Sequence, residues 1–198
     1  SILKQLSINK SDVVADIKKQ TEIFYRLVPE KVDTGKNPQT FDWIVTRISD
    51  GQKISTPRDM IGFFQELITA QIKRIEQGIE APEGERLFDR AIFKQALAVV
   101  SNTKYLQTLS AEYPEYKAYF EALRGKKAEH NIETLSVAWK DVAQDIDVRS
   151  IADRLVDIGF FERRKERDNT SYWTPFLYRD ALSMVQGKAF SSEYVEEE

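Results

Sequence analysis

The stretch DVRSIADRLVDIGFFERRKERDNTSYWTPF, residues 147–176, decides the fold that this sequence predicts. Its first half is typical of an amphipathic helix, because apolar residues recur at helical spacing at Val148, Ile151, Ala152, Leu155 and Val156. Asp147 is a suitable N-cap for this helix and Gly159 a suitable end. The second half has two aromatic runs, 160–164 and 171–176, on either side of the polar loop 165–170, which predicts a β-hairpin.

Another helix is predicted just before this stretch, over residues 132–142, with Leu135, Trp139 and Val142 on its apolar face. Two helices joined by a short turn and followed by a two-stranded hairpin are the order of a winged helix-turn-helix. Residues 177–187 predict a short closing helix. We therefore expect a winged-helix domain over residues 126–190, followed by an acidic tail over 191–198.

The residues before this module predict a helical domain over 1–125. Its clearest start signal is Ser55-Thr56-Pro57-Arg58-Asp59, since a hydroxyl cap, a proline and an acid favour the first turn of a helix. Residues 125–130 are expected to form the linker between the two domains, with His130 solvated in it. The predicted fold class is mainly α, a helical bundle followed by a winged helix-turn-helix with a small β-hairpin. Helices are predicted over 11–28, 40–49, 55–77, 90–112 and 114–123.

Composition removes most enzyme classes. The 198 residues include no cysteine and one histidine, which excludes disulfides, thiolate nucleophiles and iron–sulfur clusters. The sequence has neither a GxxxxGK[ST] phosphate-binding loop nor a GxGxxG motif. We therefore expect no catalytic residues, no metal site and no cofactor in this chain. The absence of a signal peptide and of a long apolar run favours a cytoplasmic location and no membrane partner.

The charges give little direction about partners. The net charge is −3, which is unlike a generic nucleic-acid-binding domain. Between residues 147 and 168, six basic residues are balanced by six acidic ones. The hairpin and the helix before it could still contact DNA, but packing against another domain or protein is an alternative of at least equal weight. The candidate contact residues are Arg149 and Arg154 on the helix and Arg163, Arg164, Lys165 and Arg167 at the wing.

Several short segments, in their order and spacing, resemble a known family. They are FDWI at 41–44, DG at 50–51, TPRDMI at 56–61, AEYP at 111–114, ALRG at 122–125, LVDIGFFERR at 155–164 and PFLYRDAL at 175–182. Over about residues 11–189 the series is similar to the C-terminal region of a poorly characterised family of bacterial P-loop ATPases, related to the AAA/STAND group.

This resemblance implies that residues 1–125 are a lid-like domain and that a nucleotide-binding core lies upstream in the same chain. The missing initiator Met fits that expectation. ATP and Mg are then expected only in the full-length parent. Arg58 resembles the lid arginine that senses the nucleotide γ-phosphate. The alternative for Arg58 is a salt bridge to Asp59 or Asp50.

Three functions follow as hypotheses from these observations. The first is a non-catalytic regulatory region of a bacterial P-loop ATPase, coupling nucleotide state to engagement of a protein partner or DNA. The alternative is a winged-helix transcriptional regulator that reads DNA. The third is a structural assembly module that forms an oligomer.

Overall fold

A computed structural model describes residues 9–143, 147–166 and 169–190. The described helices include a π-helix at Lys104–Leu109 and a 3₁₀ turn at Pro114–Tyr116. The α-helices are α1 Lys10–Val14, α2 Ile17–Leu27, α3 Thr40–Ile48, α4 Pro57–Glu76, α5 Ile92–Thr103, α6 Ser110–Glu112, α7 Lys117–Glu121, α8 Ile132–Ala138, α9 Val148–Asp157 and α10 Phe176–Arg179. The strands are β1 Lys127–His130, β2 Glu162–Glu166, β3 Asn169–Trp173 and β4 Val185–Lys188.

The four described strands form one mixed sheet in the order β2-β3-β1-β4. β2 and β3 are the predicted hairpin and pair antiparallel, with Arg163 opposite Tyr172. β1 pairs antiparallel with β3, with His130 opposite Tyr172, and β4 pairs parallel to β1. The predicted mainly α class is therefore confirmed, with a small mixed sheet added to it.

The described residues divide into two compact units. The first unit contains residues from Ser1–Trp43 and Leu67–Phe93, and in its core the rings of Trp43 and Phe93 meet edge to face. The buried Trp43 indole donates to Asp33 at 2.7 Å, so its one polar atom is satisfied within the core. An ion pair between Arg26 and Glu85 at 2.6 Å joins two further segments of this unit.

The second unit contains residues from Ile44–Glu66 and Lys94–Glu198. It has one aromatic-rich core, in which α8, α9 and the sheet cover the same set of rings. The Trp139 indole is fully buried and donates to the Tyr119 carbonyl at 3.0 Å. The largest rings of this core are Tyr105, Phe120, Trp139, Phe160, Phe161, Tyr172 and Tyr178.

Predictions based on helix caps are confirmed most closely. α3 lies within the predicted 40–49, and α4 begins directly after Thr56 and ends one residue before the predicted 77. α9 begins after Asp147, whose carboxylate accepts from the backbone N–H groups of Arg149 and Ser150. Side-chain caps are local interactions, so the sequence alone is enough to place them.

The predicted linker at 125–130 is wrong for most of its length. Residues Lys127–His130 form β1, an inner strand of the sheet. His130 is fully buried rather than solvated, and its ring nitrogens contact the Thr134 hydroxyl at 3.2 Å and the Lys127 carbonyl at 2.9 Å. The alternation typical of a strand is present here, because Ala128 and His130 face the core while Lys127 and Glu129 do not. The charged residues in this segment led to the prediction of a solvated linker instead.

The predicted closing helix over 177–187 is also wrong in its extent. α10 ends at Arg179, and residues 185–188 form the strand β4. The backbone reverses at Ser183, which has a φ of 52°, and the Met184 N–H donates to the Arg179 carbonyl at 2.8 Å. Glycine usually holds this left-handed position at a helix end, so a serine there carries no stop signal in the sequence.

Two predicted helices are divided. The helix predicted over 11–28 is split into α1 and α2, because Asp16 turns its backbone out and caps the second helix. The helix predicted over 90–112 becomes α5, the π-helix and α6 in succession. Those predicted over 114–123 and 132–142 are shorter than expected. The proposed domain boundary at residue 125 stays a prediction, and the acidic tail at 191–198 lies outside the described residues.

The start of α4 makes stability depend on pH in a defined direction. Burial works to raise the pKa of Asp59, but hydrogen bonds from the Thr56 backbone and hydroxyl and from Lys104 together lower it below 3.8. A carboxyl group whose pKa is lowered by folding stabilises the protein above its unfolded pKa and loses that contribution as the pH falls through the folded value.

We expect Asp59→Asn to lower the free energy of unfolding by about 1–2 kcal/mol at neutral pH, because a capping and charged hydrogen-bond acceptor is lost. The difference from wild type should shrink as the pH falls from the ordinary pKa of an aspartate toward the lowered pKa of folded Asp59, where wild type also loses this charge. Urea unfolding at a series of pH values measures this. The exposed Asp157→Asn is the control, and an Asp59→Asn effect that is constant with pH would contradict the assignment.

Candidate functional site

A groove in the second unit opens at the first turn of α4. Thr56 and Asp59 form a reciprocal cap there, since the Asp59 N–H donates to the Thr56 hydroxyl and Asp59 accepts from the Thr56 N–H. Arg58 is the second residue of α4 and lies on the groove. The groove has a volume of about 920 Å³, within the roughly 300–1,000 Å³ range of small-molecule pockets.

The opposite wall of the groove is formed by the end of α5 and by the π-helix. Lys104 lies at this junction, and its ammonium group pairs with Asp59 at 3.0 Å across the groove. Gln107 and Thr108 of the π-helix also line it. Single π turns inside helices are rare and recur at functional sites, so this wall is unusual in itself.

Neither of the salt bridges considered for Arg58 forms. The Asp59 carboxylate is occupied by Lys104 and Thr56, and the Asp50 carboxylate accepts from the N–H groups of Gln52 and Ile54. Among the described residues, Arg58 makes no ion pair and no side-chain hydrogen bond. Its guanidinium is therefore free for a ligand beside the N-terminus of a 20-residue helix.

The predicted DNA-contact residues of α9 and β2 are brought onto neighbouring elements, but acids accompany them. Arg163 pairs with Asp153 at 2.6 Å, and Arg154 lies 3.9 Å from Asp157 on the same helix. Asp153 also accepts from the Tyr172 hydroxyl at 2.9 Å. Burial and this hydrogen bond raise the pKa of Tyr172 to about 12, so the hydroxyl remains a donor to Asp153 at neutral pH.

Two of the other predicted contact residues are exposed, and a third packs on an aromatic ring. Arg149 and Lys165 are exposed. Arg164 instead lies over the Trp173 ring, 3.9 Å from its centroid, and its guanidinium is 3.4 Å from Glu162. Arg167 lies outside the described residues. The described residues therefore give this face mixed charge rather than a continuous basic surface.

Sequence reasoning missed two further arginines that the fold joins to Arg164. Arg179 is buried and lies over the rings of both Trp173 and Phe176. Arg47 also lies over the Phe176 ring. The spacing of Phe176 and Arg179 by three residues on α10 was the only local signal. Nothing in the sequence around Arg47 indicated that it would join them.

The described residues include no group of three or more His, Cys, Asp or Glu side chains that could hold a metal ion. None of the described helices has the length and apolar character needed to cross a membrane. Comparisons with family models, with curated proteins and with solved structures found no match to this chain.

Proposed function

We propose that this chain is a non-catalytic regulatory region of a bacterial P-loop ATPase, coupling the nucleotide state of the ATPase core to a partner. The observation that carries the proposal is the free guanidinium of Arg58 on the groove at the start of α4. A guanidinium binds phosphate oxygens in pairs, and a helix N-terminus favours negative charge. Together they suit the terminal phosphate of a nucleotide held by a separate core.

The order of elements supports a winged helix as the output of this region. β1, α8, α9, β2 and β3 follow one another as strand, helix, helix and hairpin. The pairing of β1 with β3 joins the hairpin to the strand that precedes the two helices, as in such a module. The groove walls and this module belong to the same compact unit, which supports coupling between Arg58 and the sheet.

The charges of the module favour a protein partner over DNA. Asp153 and Asp157 lie on α9 among its arginines, and both would approach DNA phosphates if this helix entered the major groove. Arg149 and Lys165 are exposed, so the DNA-binding alternative assigns the contacts with DNA to them.

The first test is the reading frame from which this chain derives, which must encode a phosphate-binding loop upstream. In that full-length protein we expect Arg58→Ala to lower the rate of ATP hydrolysis by about tenfold or more, since charged hydrogen bonds to the phosphate are lost. Arg58→Lys should recover only part of the activity, because lysine lacks the paired donors. Arg90→Ala, an exposed arginine outside the groove, is the control. Unchanged hydrolysis in Arg58→Ala would overturn the sensing role.

A DNA titration at two salt concentrations separates the alternatives. We expect weak, unsaturated binding, because acids accompany the basic residues of α9 and β2. Saturable and salt-sensitive binding that is lost in Arg149→Gln/Lys165→Gln would support the DNA-binding regulator instead. Lys94→Gln/Lys117→Gln removes the same charge elsewhere and is the matched control. Size-exclusion chromatography at several concentrations tests the structural assembly module.

A further inference from the structure

Three arginines and two aromatic rings form one cluster of cation–π contacts in the second unit, which we call the arginine–aromatic ladder. Its members in order are Arg164, Trp173, Arg179, Phe176 and Arg47. Between neighbouring members in this order, the distances from guanidinium carbon to ring centroid are 3.9, 4.4, 4.2 and 4.6 Å. The rings of Trp173 and Phe176 meet edge to face at 5.4 Å. Cation–π contacts of this length hold the guanidinium groups in place.

Arg179, at the centre of the ladder, has incomplete hydrogen bonding although it is only 6% exposed. Its Nε donates to the Thr174 carbonyl at 2.8 Å, and its Nη1 donates to the Gln186 side-chain oxygen. Its Nη2 is buried without an acceptor among the described residues. The Thr174 hydroxyl is buried as well and has no hydrogen-bond partner within the described part of the chain. A buried charged donor left in this way is costly, so it points to a missing acceptor.

The charges around Arg179 indicate that the missing acceptor is an anion. Burial, followed by the nearby positive charges of Arg164 and Arg47, lowers the pKa of Arg179 to about 10. Asp180 and Glu129 oppose this effect but are weaker influences. Glu162 already accepts from Arg164, and Glu129 lies 3.9 Å from Lys188.

We propose that the arginine–aromatic ladder is a binding site for a phosphate group. The phosphate displaces the exposed Gln186 side chain and accepts from Nη1 and Nη2 of Arg179, with Arg47 and Arg164 on either side. Paired donation from a guanidinium matches two oxygens of a phosphate. A doubly charged phosphate also offsets three clustered cations better than a single carboxylate does. Because guanidinium groups already lie against both rings, the site takes the phosphate and not a stacked base.

This site is separate from the groove at Arg58 and does not depend on the proposed function. The probe is inorganic phosphate, titrated into the protein and followed by calorimetry. Acetate and chloride are titrated separately at matched ionic strength for comparison. Amide spectra by NMR locate the site through Thr174 and Arg179. We expect binding to phosphate, with Arg47→Gln/Arg164→Gln weakening it by about tenfold or more through the lost charged contacts. Arg90→Ala, an exposed arginine outside both sites, should bind phosphate as wild type does, and the amide shifts of Thr174 and Arg179 distinguish this site from the groove.

Gln186→Glu keeps the proposal testable if the arginine variants unfold. The new carboxylate would supply the missing acceptor within the chain, so we expect a higher melting temperature and loss of phosphate binding. Gln186→Ala should bind phosphate at least as well as wild type, because it removes only the group that is displaced. Absence of phosphate binding to wild type, equal binding of acetate, or undiminished binding in Gln186→Glu would each overturn the proposal.

Discussion

Gly51→Ala is expected to lower the free energy of unfolding by about 3 kcal/mol or more, the upper end of what overpacking costs. A Cβ atom at Gly51 would lie 2.2 Å from the Phe161 carbonyl oxygen and 2.9 Å from that of Gly159. Both obstacles are backbone atoms, so no side-chain rotation relieves the clash. Shifting the backbone would also disturb the hydrogen bond from the Gly51 N–H to the Gly159 carbonyl, which is 2.7 Å long.

Thermal and urea unfolding measure this effect, and a fall in melting temperature of roughly 6–12 °C corresponds to it for a chain of this size. Gly62→Ala is the matched control. Gly62 lies within α4 and a Cβ atom there meets nothing within 4 Å. We expect this variant to gain about 0.5–1 kcal/mol, since alanine favours the helix. Equal effects of the two substitutions would show that the loop 50–54 is not fixed against residues 159–161.

Trp139→Ala is expected to cost about 3–5 kcal/mol, as large aromatic-to-alanine changes in a core do. The Trp139 ring is fully buried and contacts Tyr119 and Phe161, with ring centroids 5.4 and 6.4 Å away. The substitution leaves a cavity among these rings. It also removes the indole donor that satisfies the buried Tyr119 carbonyl.

Urea unfolding followed by far-UV circular dichroism measures the loss, because it does not depend on tryptophan fluorescence. Leu106→Ala is the control, since that side chain is 58% exposed, and we expect a change of at most about 0.5 kcal/mol. A cost for Trp139→Ala no greater than that of the control would mean that α8 is not packed on the core of the second unit.

Local signals explain which parts of the fold could be predicted from the sequence. The caps at Thr56 and Asp147 act on their own helices, and the hairpin β2–β3 is formed by neighbouring residues. The predictions that failed depend on distant partners. β1 and β4 consist mostly of polar residues. They form strands because β1 pairs with both β3 and β4. No residue type in the sequence marks the π-helix at Lys104–Leu109.

The same distinction applies to the candidate sites. The sequence placed Arg58 in the first turn of a helix, and it also identified the basic residues of α9 and β2. It could not tell that Asp59 is taken by Lys104, 45 residues away, or that Arg163 is neutralised by Asp153. The arginine–aromatic ladder joins Arg47 of α3 to Phe176 of α10, so only the folded chain reveals it.

The sheet order has a consequence for aggregation, because β2 and β4 are its two edges within the described residues. Charged side chains on an edge strand prevent a strand of another molecule from pairing with it. β2 has the sequence ERRKE and is protected in this way, whereas β4 is VQGK and exposes half of Val185. Salt that screens charge would therefore weaken the protection of β2 and leave β4 unchanged. Intermolecular strand addition is expected to begin at β4, where a second charge would make the protein more soluble.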